Sequence, residues 1–400
     1  MIIQEIPPFH LTYCLNVHPG ETWAENFNAI REKAMVVKKR VGSGRPFGLG
    51  LRLSHRAACE LASPSQKTVF RDFLEKNQLY VFTINGFPHG RFHGPGVKEK
   101  VYQPDWRATE RRDYTILLAD ILVDLLPEGI DGSVSTVPCS FKPWITTGAD
   151  EDRMTKLLMD CVLRLADLHE KTGREIHIGL EPEPGCYLET TDDFLAFFEK
   201  HILRAGRDSV ISRLKCSTGR GEEIIRRHLG VCLDTCHVAV QFEDLIGSFE
   251  RYRSAGIRVS KIQLSAALEA RSNPEGRRAL KPFCEPVYLH QVKARSADGR
   301  LRGWDDLPDA LEELPSFPEH DRLRVHFHTP LFWEGAGDLA STRSCLTPEF
   351  FRWIRQGVTR HLEIETYTFD VLPPDLRTSD ITESIAREYQ WVLGKFGLSF

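Results

Sequence analysis

Short apolar runs alternate with longer amphipathic stretches along the chain. Runs of about four to eight residues that are rich in β-branched and aromatic side chains predict strands, while apolar residues recurring every three to four positions predict helices. Eight such runs predict strands, and the sixth of them ends at Val231-Cys232-Leu233-Asp234. The other predicted strands are Leu11–Val17, Gly48–Leu53, Leu79–Asn85, Gly132–Cys139, Glu175–Glu181, Arg258–Ser265 and His361–Tyr367.

An amphipathic stretch follows each of these strands except the seventh. Ser54 is a suitable N-cap for the second of them, and Gly173 is a C-terminal stop signal for the fourth. The predicted helices cover residues 21–40, 54–77, 107–126, 150–172, 192–203, 242–254 and 382–393.

Eight strand–helix repeats are typical of an α/β protein with a (β/α)8 TIM barrel. A doubly wound open sheet produces the same local alternation, but eight units in 400 residues favour closure. The long segment between the seventh and eighth strands contains a hairpin signal at Asp298-Gly299 and an extended run, Leu323–Thr329. We therefore predict a single TIM-barrel domain over residues 1–400, with residues 266–330 inserted over the barrel mouth.

Composition narrows the class of protein. A net charge of −4 provides no overall basic field, so nucleic acid is an unlikely partner. The ten cysteines include no C-x-x-C pair, which favours reduced, mostly buried thiols in a cytoplasmic protein. No stretch approaches the ~18 apolar residues of a membrane span, and no secretory signal is present, so we expect no membrane insertion.

Candidate ligands stand at the ends of several strands. Asp234 and His237 form a D-x-x-H pair where the sixth strand ends. Such a pair can bind one cation, but an Asp that caps the next helix beside a buried neutral His fits the same spacing. Strand parity also places Glu181 and Glu365 at the top of inward-facing columns, because side chains two residues apart share a face.

The same parity points Gln263 inward on the seventh strand and turns His326 and His328 to one side of the extended run. Three carboxylates that converge would repel one another, by about 4 kcal/mol for each pair 4 Å apart at an effective dielectric near 20. A divalent cation is the simplest counter-charge, and protonation of one carboxyl is the competing solution.

Three segments resemble the xylose isomerase-like TIM-barrel superfamily, which includes sugar isomerases, sugar epimerases and endonuclease IV-type enzymes. They are Gly179-Leu180-Glu181, Cys232-Leu233-Asp234-Thr235-Cys236-His237 and Leu362-Glu363-Ile364-Glu365-Thr366. Within that superfamily the chain most resembles the EboE "metabolite traffic" proteins, through two further motifs. These are Leu11-Thr12-Tyr13-Cys14-Leu15-Asn16-Val17-His18-Pro19-Gly20-Glu21-Thr22-Trp23 and Asn85-Gly86-Phe87-Pro88.

The resemblance implies a divalent metal (Mn, Mg, Co or Zn) held by Glu181, Asp234 and Glu365, with His237 matching the histidine that follows the Asp. The usual seventh-strand metal histidine is Gln263 here, and an amide oxygen is a weaker ligand than imidazole. His326 or His328 is the candidate to supply the missing nitrogen.

The resemblance also implies proton transfer at a carbon next to a carbonyl, with Glu181 and Glu365 as the catalytic pair. A small polyhydroxylated metabolite is the expected substrate, and other proteins of an export pathway are possible partners. Two alternatives stay open: a metabolite-binding component without turnover, and a phosphodiesterase of the endonuclease IV type. The candidate substrate-binding residues are His18, Asn85, His89, His93, Trp106 and Glu363.

Overall fold

A parallel sheet wrapped into a barrel forms the centre of the molecule. The computed structural model describes residues 1–42, 44–94, 96–316 and 320–398. Neighbouring strands pair in the order in which they occur along the chain, and all these pairs are parallel. The first to eighth barrel strands are Pro8–Tyr13, Phe47–Arg52, Leu79–Asn85, Gly132–Thr136, Ile176–Leu180, Leu229–Asp234, Arg258–Leu264 and His361–Ile364.

The barrel is nearly closed, and its seam lies between the first and second strands. A single parallel bridge joins Cys14 to Gly50, and the Thr12 hydroxyl donates to the Gly48 carbonyl at 2.9 Å. A Cβ atom at position 50 would lie 2.8 Å from the backbone oxygen of Tyr13, so this close approach of strands requires glycine. A short strand, Ile2–Glu5, pairs antiparallel with the first barrel strand outside the barrel. The predicted TIM barrel is confirmed.

Helices cover the outside of the barrel. None of those in the described ranges is both long enough and apolar enough to cross a membrane. The α-helices are Trp23–Ala29, Met35–Gly42, His55–Leu61, Pro64–Lys76, Thr109–Leu125, Gly148–Thr172, Thr191–Phe197, Arg207–Leu214, Thr218–His228, Thr235–Val240, Leu245–Ser254, Pro348–Arg355 and Ile381–Lys395. Ile30–Ala34 and Phe198–Gly206 are π-helical, and short 3₁₀ turns include Leu15–Val17 and Lys98–Tyr102.

Several predicted boundaries differ from the structure. The first strand begins earlier and stops at Tyr13, because the chain then turns into Leu15–Val17. The helix predicted over 54–77 is two helices, since Ser63 caps a new one with Pro64 in its first turn. The helix predicted over 242–254 begins at Leu245, where Asp244 caps it. Gly173 does end the long helix, as predicted, and it adopts the left-handed conformation.

A second, antiparallel sheet follows the seventh barrel strand. The predicted hairpin at Asp298-Gly299 is present. The sheet continues to Ser341, past the predicted end at residue 330, because two very short strands pair onto its edge. Strands this short leave no periodic pattern in the sequence, so they were not predicted. In spatial order its strands are Leu301–Trp304, Val292–Ser296, His320–His328, Ala267–Arg271, Leu339–Ser341 and Gly335–Ala336, accompanied by helices Pro274–Leu280 and Leu307–Glu313.

Candidate metal centre

Three carboxylates converge at the carboxyl ends of the barrel strands. Glu181 follows the fifth strand, Asp234 ends the sixth and Glu365 follows the eighth. One oxygen from each lies within 4.8 Å of the others, and all three side chains are buried. The backbone holds them in place, because the Glu181 and Glu365 amides donate to carbonyls of adjacent strands at 3.1 and 3.0 Å.

Asp234 serves as a helix cap and also presents a free oxygen. Its Oδ1 accepts the backbone N–H groups of Cys236 at 2.7 Å and His237 at 3.1 Å, and the hydroxyl of Ser265 at 2.6 Å. Its Oδ2 is buried and has no hydrogen-bond partner. The cap and ligand interpretations of the D-x-x-H pair are therefore compatible, since each uses a different oxygen.

The two glutamates differ in how they are held. Oε1 of Glu365 accepts the side-chain amides of Asn16 and Asn85, both at 2.8 Å, whereas Oε2 of Glu181 is buried without a partner. Burial, followed by the charges of the neighbouring carboxylates, raises the pKa of both glutamates well above the ordinary value. Burial acts the same way on Asp234, but His237, His328 and the Ser265 hydrogen bond outweigh it and lower the pKa of Asp234.

Two of the three nearby histidines have a defined tautomer. Nδ1 of His237 lies 2.9 Å from the Pro182 carbonyl, and Nδ1 of His328 lies 2.7 Å from the Glu365 carbonyl. A carbonyl only accepts, so each Nδ1 carries the proton and each Nε2 presents a lone pair. Burial lowers the pKa of His237 to about 4 and also lowers the pKa of His328. Both rings are therefore neutral, which is the form that binds metals.

His326 completes this group from the inserted sheet. Its Nε2 lies 3.0 Å from Nε2 of His237, and its Nδ1 lies 2.7 Å from Oε1 of Gln291. Burial and the neighbouring histidines lower its pKa well below the ordinary value. The nitrogen lone pairs of these two neutral imidazoles face each other. This contact becomes favourable when a cation lies between or beside the two rings.

The donor atoms fit a divalent cation. Three buried atoms have no hydrogen-bond partner: Oε2 of Glu181, Oδ2 of Asp234 and Nε2 of His328. Their residues belong to two overlapping clusters of potential ligands, and the ligand atoms of each cluster lie within 4.8 Å of one another. Leaving such groups unpaired costs free energy, and a cation would satisfy them together. The first cluster is Glu181, Asp234 and Glu365, and the second is Asp234, His237 and His328. Cys236 forms a third cluster with His326 and His328.

Gln263 lies on the seventh strand in register with Asp234. Its Oε1 accepts the Cys232 thiol at 3.0 Å, and its Nε2 is buried without a partner. The amide oxygen that would bind a cation is thus engaged by sulfur, while the histidines supply nitrogen. Gln263 as a ligand stays a prediction.

A narrow cavity of about 50 Å³ leads from these groups to the rim. Asn85, Glu181, His237 and Glu365 line its floor, and the rim comes from the third βα loop, the inserted segment and the loop after the eighth strand. The rim side chains are largely apolar or aromatic: Phe87, Pro88, Phe92, Val97, Val101, Tyr288, Leu289 and Tyr367, together with Lys98.

Of the predicted substrate-binding residues, Asn85 lines this cavity and His93 supports its rim. His93 contacts the Asn16 carbonyl at 2.6 Å and the Tyr288 hydroxyl at 3.2 Å. The remaining four are not among the cavity-lining residues. His18 contacts the Tyr13 hydroxyl, His89 stacks on His55, Trp106 donates to the Val137 carbonyl and Glu363 pairs with Lys261.

Sequence reasoning missed several residues of this site. Asn16 belongs to a loop predicted as strand, and Tyr288 and Gln291 lie in the insertion, where no periodicity marked them. Glu183 was detectable, because it follows Glu181 by two residues. Burial raises the pKa of Glu183 to about 8, although the Tyr102 hydroxyl donates to it at 2.8 Å.

Comparison with solved structures identifies the fold. A xylose isomerase-like TIM barrel protein from Mycobacterium smegmatis, solved in complex with magnesium, is 11% identical; the alignment covers 97% of this chain and 96% of that chain, with a TM-score of 0.51. The IolI protein with a bound zinc atom is 12% identical over 98% of this chain and 99% of its own, at a TM-score of 0.46. A D-tagatose 3-epimerase-like protein is 12% identical over 97% and 99%, at 0.44.

No protein-family model matches the sequence, and no curated protein does. At such low identity, structural similarity bears on architecture alone. The similarity to the mycobacterial protein, over nearly the full length of both chains, establishes that this chain folds as a TIM barrel.

Proposed function

We propose that this protein is a metal-dependent enzyme that transfers a proton at a carbon next to a carbonyl, as in sugar isomerases and epimerases. Its substrate would be a small polyhydroxylated metabolite, and it would work in the cytoplasm beside other proteins of an EboE-like metabolite traffic pathway. The observation that carries the proposal is the convergence of unpartnered carboxylate oxygens and imidazole lone pairs at the barrel mouth.

Glu181, Asp234, His237, His328 and Glu365 are the residues that would hold the cation. Mixed imidazole and carboxylate donors suit Zn, Co or Mn better than Mg, which prefers oxygen and water. The bound cation would polarise substrate oxygens and so acidify the adjacent C–H bond.

Glu181 and Glu365 are the proposed proton carriers. Burial raises the pKa of both, so that either carboxyl can hold a proton at a pH where an exposed glutamate is ionised. Asn16 and Asn85 fix Oε1 of Glu365 from two directions, which leaves its other oxygen for the substrate. Glu181 approaches from a different wall of the barrel, as two-sided proton transfer requires.

The size of the cavity constrains how substrate enters. A volume of about 50 Å³ admits only a few water-sized groups, fewer than a sugar needs. Phe92, Tyr288 and Tyr367 form an aromatic cluster at the rim, with ring centroids 5.1 to 5.4 Å apart. We propose that this cluster, termed the aromatic rim below, moves to admit substrate.

The test combines metal analysis with proton exchange. The purified protein should bind a divalent ion at near-stoichiometric amount and catalyse exchange of solvent deuterium into members of a ketose panel. Glu365→Gln should abolish exchange. Glu388→Gln is the matched control, since Glu388 is a buried glutamate that contacts Thr366 and Leu331 outside the mouth. Exchange that persists unchanged in Glu365→Gln would remove Glu365 from the mechanism.

The same assay separates catalyst from carrier. A protein that binds a ketose only when metal is present, and shows no exchange, would be a metabolite-binding component.

The three histidine donors favour a second candidate, a phosphodiesterase, which nicking of abasic duplex DNA would reveal. Among the described residues lining the cavity, Lys98 is the only lysine or arginine, and it pairs with Asp306 at 2.5 Å. That supply of positive charge is small for a nucleic-acid backbone.

A further inference from the structure

A second group of potential ligands lies at the opposite end of the barrel from the mouth. Asp131 immediately precedes the fourth strand, His177 is near the start of the fifth and His361 begins the eighth. His177 and His361 are fully buried, and one ligand atom from each of the three residues lies within 4.8 Å of the others. We term these three residues the basal triad.

The basal triad has the arrangement of a tripod around Asp131. Nε2 of His177 lies 3.2 Å from Oδ2 of Asp131, and Nε2 of His361 lies 3.6 Å from Oδ1. Ligand atoms bound to one tetrahedral zinc ion about 2.1 Å away lie roughly 3.4 Å from one another. Both measured separations are close to that value, although Nε2 of His177 now donates a hydrogen bond to Asp131, so binding an ion requires its proton to move to the unpartnered Nδ1.

The hydrogen bonds around His361 leave one lone pair without a partner. The Ser133 hydroxyl donates to Oγ1 of Thr83 at 2.8 Å, so its oxygen is free to accept Nδ1–H of His361, also at 2.8 Å. Nε2 of His361 then carries a lone pair, and it is buried with no hydrogen-bond partner. This lone pair faces a carboxylate oxygen, an unfavourable contact that a cation between the two atoms would make favourable.

Other charged groups nearby are compatible with an added cation. Arg360 lies 3.4 Å from Oδ1 of Asp131, but its side chain is half exposed and is free to turn into solvent. Arg258 is already paired with Glu175 at 2.6 Å. Asp131 and His177 also line a cavity of about 770 Å³ at this end of the barrel, which provides a route for an ion and its water.

We propose that Asp131, His177 and His361 form a second, divalent transition-metal site, of the zinc class, at the amino-terminal end of the barrel. The ligand set is two imidazoles and one carboxylate, with the open position facing the basal cavity. Ser133 orients His361, as a carboxylate or carbonyl commonly orients a metal-bound histidine. The ion would join the eighth strand to the fourth and fifth, which are not its neighbours in the sheet.

The experiment uses the full chain stripped of metal and then titrated with Zn²⁺. Zinc retained after gel filtration is counted, and crystals of the wild type are measured for anomalous scattering at the zinc edge. We expect an anomalous peak among the basal triad, separate from any peak at the mouth. Asp131→Asn and His361→Gln should each lose one equivalent of zinc and the corresponding zinc-dependent rise in melting temperature.

His228→Gln is the matched control, because His228 is a buried histidine that contacts the Ile176 carbonyl and lies outside the triad. It should retain every equivalent. The alternative is that a proton, rather than a metal, lies between His361 and Asp131. A wild-type crystal without a basal peak, or variants of the triad that keep the wild-type stoichiometry, would overturn the proposal. The wild-type crystal decides the matter even when a variant fails to fold.

Discussion

Nζ of Lys261 and Oε2 of Glu363 lie 2.6 Å apart inside the barrel, one pleat below the mouth. Both side chains are fully buried. Burial lowers the pKa of Lys261, but the adjacent Glu363 carboxylate more than compensates and raises it. The lysine is therefore charged, and its charge acts to lower the pKa of Glu181 and Glu365 above it, while the adjacent Glu363 acts to raise the pKa of both. The pair is thus largely balanced within itself, and the pKa of both mouth glutamates stays raised.

Replacing Lys261 should destabilise the protein strongly. Lys261→Met leaves Glu363 as a buried charge without a partner, which typically costs about 3–5 kcal/mol. Urea unfolding of the metal-free protein would measure this loss. The double variant Lys261→Met/Glu363→Leu should recover most of it, because no charge is then buried. A single variant as stable as the wild type would contradict this expectation.

Asp234→Asn should weaken metal binding without disturbing the fold. The asparagine keeps Oδ1 and its three hydrogen bonds, but an N–H group replaces the free Oδ2. Loss of a direct ligand should cost more than the roughly 10–100-fold that losing an outer partner costs. Ser265→Ala, which removes only the hydroxyl bonded to Oδ1, is the matched comparison. Equal affinities of Asp234→Asn and wild type for Zn²⁺ would exclude Asp234 as a ligand.

Metal affinity should rise with pH above the ordinary glutamate pKa near 4.3. The pKa of Glu181 and of Glu365 is raised, so these carboxyls hold protons that an entering cation must displace. His237, with its pKa lowered to about 4, is neutral throughout this range and contributes none. Calorimetry in buffers of different ionisation enthalpy would count the protons released. Glu365→Gln should release fewer, and an unchanged count would contradict this assignment.

Glu388 should make stability depend on pH. Burial raises its pKa to about 7, even though Thr366 and Leu331 donate to it. Below about pH 4.5 the Glu388 carboxyl is protonated in both the folded and the unfolded protein. As the pH rises to 7, this carboxyl loses its proton readily only in the unfolded protein. The folded state is then disfavoured by about 3 kcal/mol.

Glu388→Gln removes this titration and keeps an accepting oxygen. It should therefore stabilise the protein at pH 8 and leave the free energy of unfolding near pH 4 unchanged. Denaturant unfolding at the two pH values would measure the difference. Equal effects at both values would mean that Glu388 does not titrate with a raised pKa.

Opening the aromatic rim should accelerate exchange of the bound metal. Tyr288→Ala removes a ring packed against Phe92 and Tyr367, and it touches none of the proposed ligands. The rate at which a chelator removes zinc should rise, while the zinc stoichiometry stays the same. Phe249→Ala, which removes a buried ring far along the chain from the rim, controls for general loosening. Identical rates in Tyr288→Ala and wild type would show that the rim does not limit access.

Local periodicity sufficed to predict the barrel and the convergence of three carboxylates at its mouth. The alternation of inward and outward side chains placed Glu181 and Glu365 on the correct columns, and the turn after the sixth strand joined Asp234 to His237. The same columns carry His177 and His361, each four residues before a mouth glutamate, so the sequence pattern also marked two of the three residues of the basal triad. Asp131 precedes its strand and left no such trace.

What periodicity cannot provide is contact between distant segments. Asn16 donates to Glu365 across 349 positions of sequence, and its own strand was predicted to run past it. His326 faces His237 only because the inserted sheet folds back over the barrel. Long-range packing, rather than any local preference, determines these partners.

The seam of the barrel gives Glu365 an additional property. Asn16 follows the first strand and Asn85 ends the third, so the two amides that hold this carboxylate stand on opposite sides of the weakly bridged gap. Glu365 therefore joins the two sides of the gap through two hydrogen bonds. Each of these bonds stabilises the ionised carboxylate, so losing either one would make Glu365 more basic. The closure of the barrel and the proton affinity at its mouth are thus linked through a single carboxylate.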